Sequence, residues 1–245
     1  MEYKQQFAGN GHCFLHRKGL PVSMQPQIFI PEYWRSRSAL TSSAKGRGTT
    51  VFIRPNADED WALRHYRRGG LIGKLLDDRF VYTGLRKTRA WREFHLLAYL
   101  RQQHLPVPEP VAAHVTRSGC SYRADLITRL IPDSQDLHEV LSQRPLTIDE
   151  WESVGEVIAR LHNCQVYHHD LNIRNLMLDA QGSVWIIDFD KCRRRSGNSW
   201  KQGNLNRLHR SLRKSASNET QWYWQESDFT TLAQRYKSAI AQTAP

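Results

Sequence analysis

The stretch over residues 166–190, VYHHDLNIRNLMLDAQGSVWIIDFD, constrains the fold of this chain more than any other. It reads as a polar loop followed by two short apolar strands, with a turn over residues 179–183 between them. A hairpin reverses the chain, so the end of its second strand returns beside the start of the first. Polar side chains in the loop and after the second strand are therefore predicted to lie close together.

Three of these polar side chains meet the needs of phosphoryl transfer. The loop fits the frame H-x-D-x-x-x-x-N through His168, Asp170 and Asn175, and Asp188 follows the second strand. Asp170 can orient an attacking hydroxyl group and accept its proton. Asn175 and Asp188 offer the amide and carboxylate oxygens that suit Mg²⁺. An isolated Asp and Asn would more often be turn formers, but the hairpin and Asp188 favour an enzyme.

Two upstream features extend this interpretation. Gly46 and Gly48 form a G-x-G that opens a strand predicted over residues 46–54, where backbone N–H groups could meet phosphates. Glu93 lies on an amphipathic helix predicted over residues 88–103, where it could pair with a cation that contacts a nucleotide. Either feature alone is a weak signal. Their order along the chain, ahead of the polar loop, strengthens both.

The remaining patterns divide the chain in two. Strands are predicted over residues 61–66 and 121–131, and the proline-rich residues 105–113 are predicted to form an extended connection. Helices are predicted later, over residues 136–143, 147–165 and parts of 198–240. We therefore expect an α+β fold with two lobes. The sheet-rich N-terminal lobe would span residues 1–130 and a compact helical C-terminal lobe residues 131–245.

The positive charge of the chain is concentrated in one segment. The net charge is +11, and residues 191–214 contain nine Lys or Arg and no acid, which leaves +2 for the rest. A local excess of this kind implies an anionic partner, whether nucleic acid, a membrane surface or a phosphorylated substrate. A solvated basic face is the alternative. No apolar run approaches the roughly 20 residues of a membrane span, and the four dispersed cysteines suggest reduced thiols in a cytoplasmic protein.

Taken together, the residues from about 45 to 190 resemble the protein-kinase-like superfamily. The resemblance implies use of ATP and Mg²⁺, with Asp170 as catalytic base and Asn175 and Asp188 as metal ligands. It places the adenine-binding hinge at residues 128–131. It also implies a set of nucleotide-binding residues, namely Gly46, Gly48, Arg64 and Glu93.

The sequence departs from protein kinases at several of these positions. Arg64 stands where the strand lysine is expected, and Lys74 is the other candidate for that role. His169 replaces the arginine of H-R-D, and Asp190 replaces the glycine after Asp-Phe. No A-P-E follows, and the segment after Asp188 is too short for a peptide-binding groove. The acceptor is therefore not expected to be an ordinary protein.

Five further segments resemble the 3-deoxy-D-manno-octulosonic acid (Kdo) kinases: LRHYRRGGLIGKL, TRAWREFHLL, LPVPEPVAA, IIDFDKCRRR and NLNRLHRSLRK. This resemblance implies phosphorylation of a Kdo–lipid A precursor, with the 4-hydroxyl as expected acceptor, during lipopolysaccharide assembly. It implies a peripheral enzyme without a transmembrane segment on the cytoplasmic side of the bacterial inner membrane. The basic segment would then face anionic headgroups, with Arg193, Arg194 and Arg195 near acceptor phosphates, and no nucleic acid partner is expected.

Two other interpretations stay open at this point. The chain could be another small-molecule phosphotransferase or a compact atypical protein kinase, with RNA as the partner of its basic segment. It could also be a pseudokinase that only binds, which the departures at Arg64 and Asp190 would favour. The aromatic run Trp222, Tyr223 and Trp224 is a candidate for membrane contact, with core packing as the alternative.

Overall fold

A computed structural model describes residues 2–43, 50–68 and 78–241. Gly46, Gly48 and Lys74 lie outside these described residues. The chain forms two compact units. Unit 1 comprises Met1–Ala98 and Glu109–Leu130, and unit 2 comprises Tyr99–Pro108 and Ile131–Pro245.

Unit 1 is built on an antiparallel sheet that has eight strands in the described part of the chain. Its order is β1-β2-β7-β8-β5-β4-β3, and β6 pairs with β8 beside this path. The strands are β1 (Tyr3–Ala8), β2 (His12–Arg17), β3 (Leu40–Ser43), β4 (Thr50–Ile53), β5 (Trp61–His65), β6 (Phe80–Val81), β7 (Pro110–Ser118) and β8 (Ser121–Arg129). Since β8 lies between β5 and β7, segments far apart in sequence meet at the centre of the sheet.

The sheet confirms two predicted strands, corrects one expectation and contains one hairpin that was not predicted. β5 and β8 match the strands predicted over residues 61–66 and 121–131. The extended connection over residues 105–113 is wrong in its last part, because β7 begins at Pro110. A proline is tolerated at the first position of a strand, where its missing N–H removes no central ladder bond. The hairpin of β1 and β2 was not predicted, although Asn10 and Gly11 both adopt the positive φ of a tight hairpin turn.

The core of unit 1 lies between the sheet and two short helical segments, a 3-10 turn at Pro26–Phe29 and α1 (Pro31–Arg35). Trp34 is buried there against Trp61, and its indole N–H donates to the carbonyl oxygen of Ile28 at 2.7 Å. The rest of this core comprises Phe14, Phe29, Val51, Ile53, Leu63, Val111, Ala112 and Ile127.

The predicted amphipathic helix is α2 (Arg89–Gln102). Trp91, Phe94 and Leu97 form its buried stripe, as the helical spacing predicts. Glu93 is also buried, with only 4% of its residue surface exposed. A buried carboxylate needs a partner, so the position of Glu93 on this helix already requires a cation or donors nearby.

Unit 2 contains four helices in its described residues: α3 (Leu137–Gln143), α4 (Ile148–Asn163), α5 (Lys201–Asn218) and α6 (Glu226–Ala241). Its small antiparallel sheets are β12–β11–β9 and β10–β13. These strands are β9 (Ser134–Asp136), β10 (Val166–Tyr167), β11 (Leu176–Asp179), β12 (Val184–Ile186) and β13 (Arg193–Arg194). β11 and β12 are the predicted hairpin. Helices mixed with antiparallel sheets confirm the α+β prediction.

The predicted start of α4 is also confirmed. Thr147 Oγ1 accepts from the backbone N–H of Glu150 at 3.2 Å, and the Glu150 carboxylate accepts from the N–H of Thr147 at 2.8 Å. This reciprocal pair satisfies two N–H groups that the helix cannot pair internally. Within the described residues, no helix is long and apolar enough to cross a membrane.

α4 packs closely against α6 at Gly155. A methyl group on Gly155 would overlap the carbonyl oxygen of Leu232 and lie 3.1 Å from the backbone nitrogen of Tyr236. Both neighbours are backbone atoms of a helix, so they cannot move aside as a flexible side chain would. The absence of a side chain at this position therefore sets the separation of the two helices.

We predict that Gly155→Ala destabilises the protein by about 1–3 kcal/mol, the usual cost of overpacking. Gly203→Ala is the matched control, because Gly203 lies in α5 with open space around its Cβ position. That control should gain about 0.5–1 kcal/mol from helix propensity. Urea unfolding of both variants checks the pair, and equal effects on stability would contradict the close contact of α4 with α6.

Candidate active site

The structure brings the loop of Asp170 and the end of the hairpin into one hydrogen-bonded unit. The side-chain amide of Asn175 donates to the carbonyl oxygen of Asp170 at 2.9 Å. The backbone N–H of Ile187 donates to the carbonyl oxygen of Asn175 at 3.0 Å. Asp188 follows Ile187 directly, so Asp170, Asn175 and Asp188 are joined through a short chain of hydrogen bonds. The sequence pattern predicted this proximity from the hairpin.

His168 makes a second connection between the loop and the hairpin. Its Nε2 donates to the carbonyl oxygen of Ile187 at 3.0 Å, and its ring lies edge-on to the buried Phe189. Burial lowers the pKa of His168, which favours the neutral ring. His168 therefore supports the loop from inside unit 2 and, being buried, is not placed to contact a substrate.

The residues around Asp188 form a tight turn out of β12. Asp188 has a φ of +60°, a left-handed conformation that a short polar side chain tolerates better than most. The buried Cys192 follows, and its Sγ accepts from the backbone N–H of His169 at 3.2 Å. The segment after Asp188 is thus held against the loop before Asp170. Sequence reasoning missed this role of Cys192, because a dispersed cysteine carries no signal of a partner.

Asn204 of α5 holds the loop most directly. Its side chain is buried, with 1% exposure, and it contacts the backbone of His168 in both directions. Nδ2 donates to the His168 carbonyl oxygen at 2.8 Å, while Oδ1 accepts from the His168 N–H at 3.3 Å. Oδ1 also lies 3.1 Å from Nε2 of His162. Sequence reasoning missed Asn204, whose only signal is an amide beside the apolar positions of α5.

Two titratable side chains continue this buried network. Nδ1 of His162 lies 2.7 Å from the hydroxyl oxygen of Tyr236 on α6. Burial lowers the pKa of His162 to about 4, and the nearby charge of Lys201 acts in the same direction. Burial raises the pKa of Tyr236 to about 12. A neutral imidazole and a neutral phenol are therefore the stable forms behind the loop at neutral pH.

Asn175 and Asp188 offer ligands that fit Mg²⁺. The Nδ2 of Asn175 is used by Asp170, and among the described residues no hydrogen bond uses its Oδ1. The described parts of the chain contain no cluster of three His, Cys, Asp or Glu residues that could hold a metal. Mg²⁺ keeps several waters and is usually bound by one or two carboxylates together with substrate phosphates, so one carboxylate and one amide oxygen are compatible with this ion.

In unit 1, Arg64 pairs with Glu93, the residue expected to meet a cation. The Tyr66 hydroxyl donates to the same carboxylate oxygen at 2.6 Å, and the guanidinium of Arg64 lies over the Tyr66 ring, 4.8 Å from its centroid. Buried Glu93 and Tyr66 thus fix the direction of Arg64, which stays partly exposed. Lys74, the alternative cation, lies outside the described residues.

The three arginines expected near the acceptor do not share one face of unit 2. Arg193 and Arg195 both lie over the ring of Tyr167, at 5.8 and 5.6 Å from its centroid. Arg194 lies instead over Tyr99, at 4.9 Å. Alternation along β13 explains the split, because successive side chains of a strand point to opposite faces. Arg193 and Arg195 are thus both near the ring of Tyr167, whereas Arg194 is near a different ring.

The aromatic run after α5 is mostly packed against helices. The ring of Trp222 contacts His138 of α3, and that of Trp224 lies near His209 of α5. Both indole N–H groups are buried. Of the three rings, only that of Tyr223 counts as exposed. The two tryptophans are half-buried and pack against helices, and Tyr223 is the most exposed ring of the run.

Comparison with known proteins identifies the family. The model of the lipopolysaccharide kinase (Kdo/WaaP) family matches residues 31–236. A Vibrio parahaemolyticus protein named 3-deoxy-D-manno-octulosonic acid kinase is 45% identical over 94% of this chain and 96% of its own length. A protein of that name from Vibrio vulnificus is 43% identical over 96% of this chain and 98% of its own length. Another, from Mannheimia succiniciproducens, is 43% identical over 85% of this chain and 90% of its own length. This chain belongs to the lipopolysaccharide kinase (Kdo/WaaP) family.

Membership in this kinase family makes the chain a phosphotransferase and implies ATP as the phosphoryl donor. The resemblance to Kdo kinases seen in the sequence is thereby confirmed. The family match includes the loop of Asp170, the hairpin and the basic segment of residues 191–214. The matched residues also include Arg64. An arginine at this position is therefore weak support for the pseudokinase interpretation.

The pKa of His162 predicts an acid-dependent loss of stability. Its pKa falls from 6.5 to about 4 on folding, so at pH 5 the unfolded chain binds more protons than the native one. Stability should therefore decrease as the pH falls from about 6.5 toward 4. Between pH 7 and pH 5 the contribution of His162 is about 2 kcal/mol. Urea unfolding of the wild type and His162→Gln at both pH values measures it, and an unchanged pH dependence in the variant would contradict the assignment.

Proposed function

We propose that this chain transfers the γ-phosphoryl group of ATP to a hydroxyl group of Kdo carried by a lipid A precursor. The 4-hydroxyl is the expected acceptor. The name of its relatives supports this substrate, since two of them align over 96% and 98% of their own length. The observation that carries the chemistry is the hydrogen-bond chain from Asp170 through Asn175 to Ile187, which joins the base to the proposed metal ligands.

In this proposal Asp170 is the catalytic base. As the sugar hydroxyl oxygen forms a bond to the γ-phosphorus, its proton passes to the Asp170 carboxylate and the bond from phosphorus to the bridging oxygen breaks, releasing ADP. The Asp170 side chain is 58% exposed, so an acceptor can reach it. Asn175 holds the backbone of Asp170 while this proton moves.

The proposed donor-side roles are given for each unit by itself. Asn175 and Asp188 would hold Mg²⁺, which when bound supplies positive charge to the phosphates. Arg64, directed by Glu93 and Tyr66, would contact the nucleotide phosphates. Gly46 and Gly48, which lie outside the described residues, stay predicted nucleotide-binding residues. In this scheme unit 1 acts as the nucleotide-binding lobe and unit 2 as the catalytic lobe.

The acceptor also suggests where the enzyme works. A Kdo–lipid A precursor is anionic and lies in a membrane leaflet, so we propose peripheral binding at the cytoplasmic side of the inner membrane. Arg193 and Arg195, both exposed beside Tyr167, are the proposed contacts to acceptor phosphates or headgroups. Arg194 would contribute only to the wider positive surface.

The function is tested by incubating the protein with [γ-³²P]ATP, Mg²⁺ and purified Kdo–lipid A precursor. Label on the Kdo lipid supports the proposal, and mapping the labelled hydroxyl tests the 4-position. Label on added proteins or other sugars, with none on the Kdo lipid, would point to a different phosphotransferase. ATP binding without transfer to any acceptor would favour a binding module.

Asp170→Asn is expected to lower kcat by roughly 100- to 10,000-fold, the usual contribution of a general base. Asp149→Asn is the matched control, because Asp149 is an exposed carboxylate on the first turn of α4. Steady-state transfer to the Kdo lipid and thermal unfolding are measured for both variants. Activity of Asp170→Asn near that of the wild type would remove Asp170 from its role.

Arg195→Gln is expected to weaken binding to anionic vesicles roughly fivefold, since one surface charge contributes about 1 kcal/mol. Lys237→Gln removes the same charge from an exposed position on α6, outside the basic segment, and should have little effect. Co-sedimentation with vesicles containing anionic lipid compares the two. Equal losses in both variants would show that net charge, and not the basic segment, determines binding.

A further inference from the structure

An arginine that the sequence analysis did not single out lies beside the proposed catalytic base. Nη1 of Arg207, on α5, is 3.5 Å from Oδ1 of Asp170. Both side chains are substantially exposed, 41% for Arg207 and 58% for Asp170. Among the described residues this is the only hydrogen bond of the Arg207 guanidinium, which has five N–H donors. With 41% of its side chain exposed, Arg207 can be reached by an acceptor that docks at the base.

The position of Arg207 is built into the fold. Asn204 lies one turn before it and bonds both backbone groups of His168. Ser211 lies one turn after it, and its Oγ accepts from the backbone N–H of Ile173 at 3.2 Å. Residues at this spacing share one face of a helix, so α5 is fixed to the loop on both sides of Arg207. The backbone of Arg207 is thereby placed beside the loop, and its guanidinium reaches Asp170 from there.

The loop has an arginine of its own, but that residue is used elsewhere. Arg174 follows Asp170 closely in sequence, yet its Nη2 lies 2.9 Å from Nε2 of His138 on α3. The cation at the base is therefore supplied by α5. An exposed ion pair of this kind contributes little to stability, so its placement calls for another explanation.

We propose that Arg207 binds the carboxylate of the acceptor sugar acid while Asp170 accepts the proton of its hydroxyl group. This inference rests on the proposed function. Kdo carries a carboxylate on the same small ring as its acceptor hydroxyl, so a sugar docked on Asp170 brings a second negative charge close to it. Like charges at this separation repel, and a guanidinium beside both relieves the repulsion. Its planar fork also matches a carboxylate with two parallel hydrogen bonds.

Before the acceptor binds, the ion pair with Asp170 keeps the Arg207 side chain at the site. Arg207 forms a long ion pair of 3.5 Å with the exposed carboxylate of Asp170, and this contact is easily replaced by another carboxylate. The incoming carboxylate takes over the remaining donors of Arg207. Arg207 thus acts as a specificity-determining residue that selects an acidic sugar over a neutral one.

The test combines a protein variant with a change in the substrate. Initial rates are measured with the Kdo–lipid A precursor and with an analogue in which the Kdo carboxylate is a neutral carboxamide. For the wild type, kcat/KM should be roughly 10- to 100-fold higher for the carboxylate, the range of a charge-assisted hydrogen bond. Arg207→Gln should lose this preference by losing activity on the carboxylate alone, while KM for ATP stays unchanged.

Two further variants test whether the preference depends on Arg207 itself and on the shape of its guanidinium. Arg210→Gln removes an exposed arginine one turn along α5 and should keep the wild-type preference. Arg207→Lys retains the charge without the fork and should restore part of the preference. Since Arg207 is exposed, thermal unfolding of its variants should match that of the wild type, which separates loss of recognition from loss of structure.

Several outcomes would overturn the inference. One is an Arg207→Gln variant that still prefers the carboxylate. Another is an equal loss on both acceptors, which would place Arg207 on Asp170 or on the transferred phosphoryl group. A third is a loss that disappears with a dephosphorylated lipid A precursor, which would make the lipid phosphate its ligand. No transfer to either acceptor by the wild type would overturn the proposed function itself, and this inference with it.

Discussion

The geometry of the candidate site depends on one buried amide, that of Asn204. It pairs with both backbone groups of His168, two residues before Asp170, and it also meets His162. Because a buried polar group is costly without a partner, the amide can be accommodated only when the loop adopts this shape. Tyr236 completes the network from α6, so that the loop is supported by the packed helices of unit 2.

The same helix connects support with chemistry. Through Asn204 and Ser211, α5 holds the loop, and between them it presents Arg207 to Asp170. The basic segment is therefore not one uniform patch. Arg193 and Arg195 lie near the ring of Tyr167, whereas Arg207 lies beside Asp170. Charges that are close in sequence form separate local sites, because β13 and α5 place them at different positions in unit 2.

Much of the fold could be predicted from local patterns. α4 begins at its capping box and α2 buries its predicted stripe, because capping and helical periodicity act over neighbouring residues. The hairpin of β1 and β2 was not predicted, because its strands do not alternate regularly between apolar and polar residues. β7 was not predicted, because the prolines of residues 105–113 indicate an extended connection. In both cases pairing with a neighbouring strand outweighs the local preference.

Local sequence patterns were enough to predict the order of the chemical groups. Asp170, Asn175 and Asp188 come together because a short hairpin joins them, and a hairpin is a local structure. The partners of these groups could not be predicted in this way. The pairing of Arg64 with Glu93, the amide of Asn204 on His168 and the approach of Arg207 to Asp170 all join distant segments. Such contacts depend on how whole elements pack, which the spacing of residues along one segment does not encode.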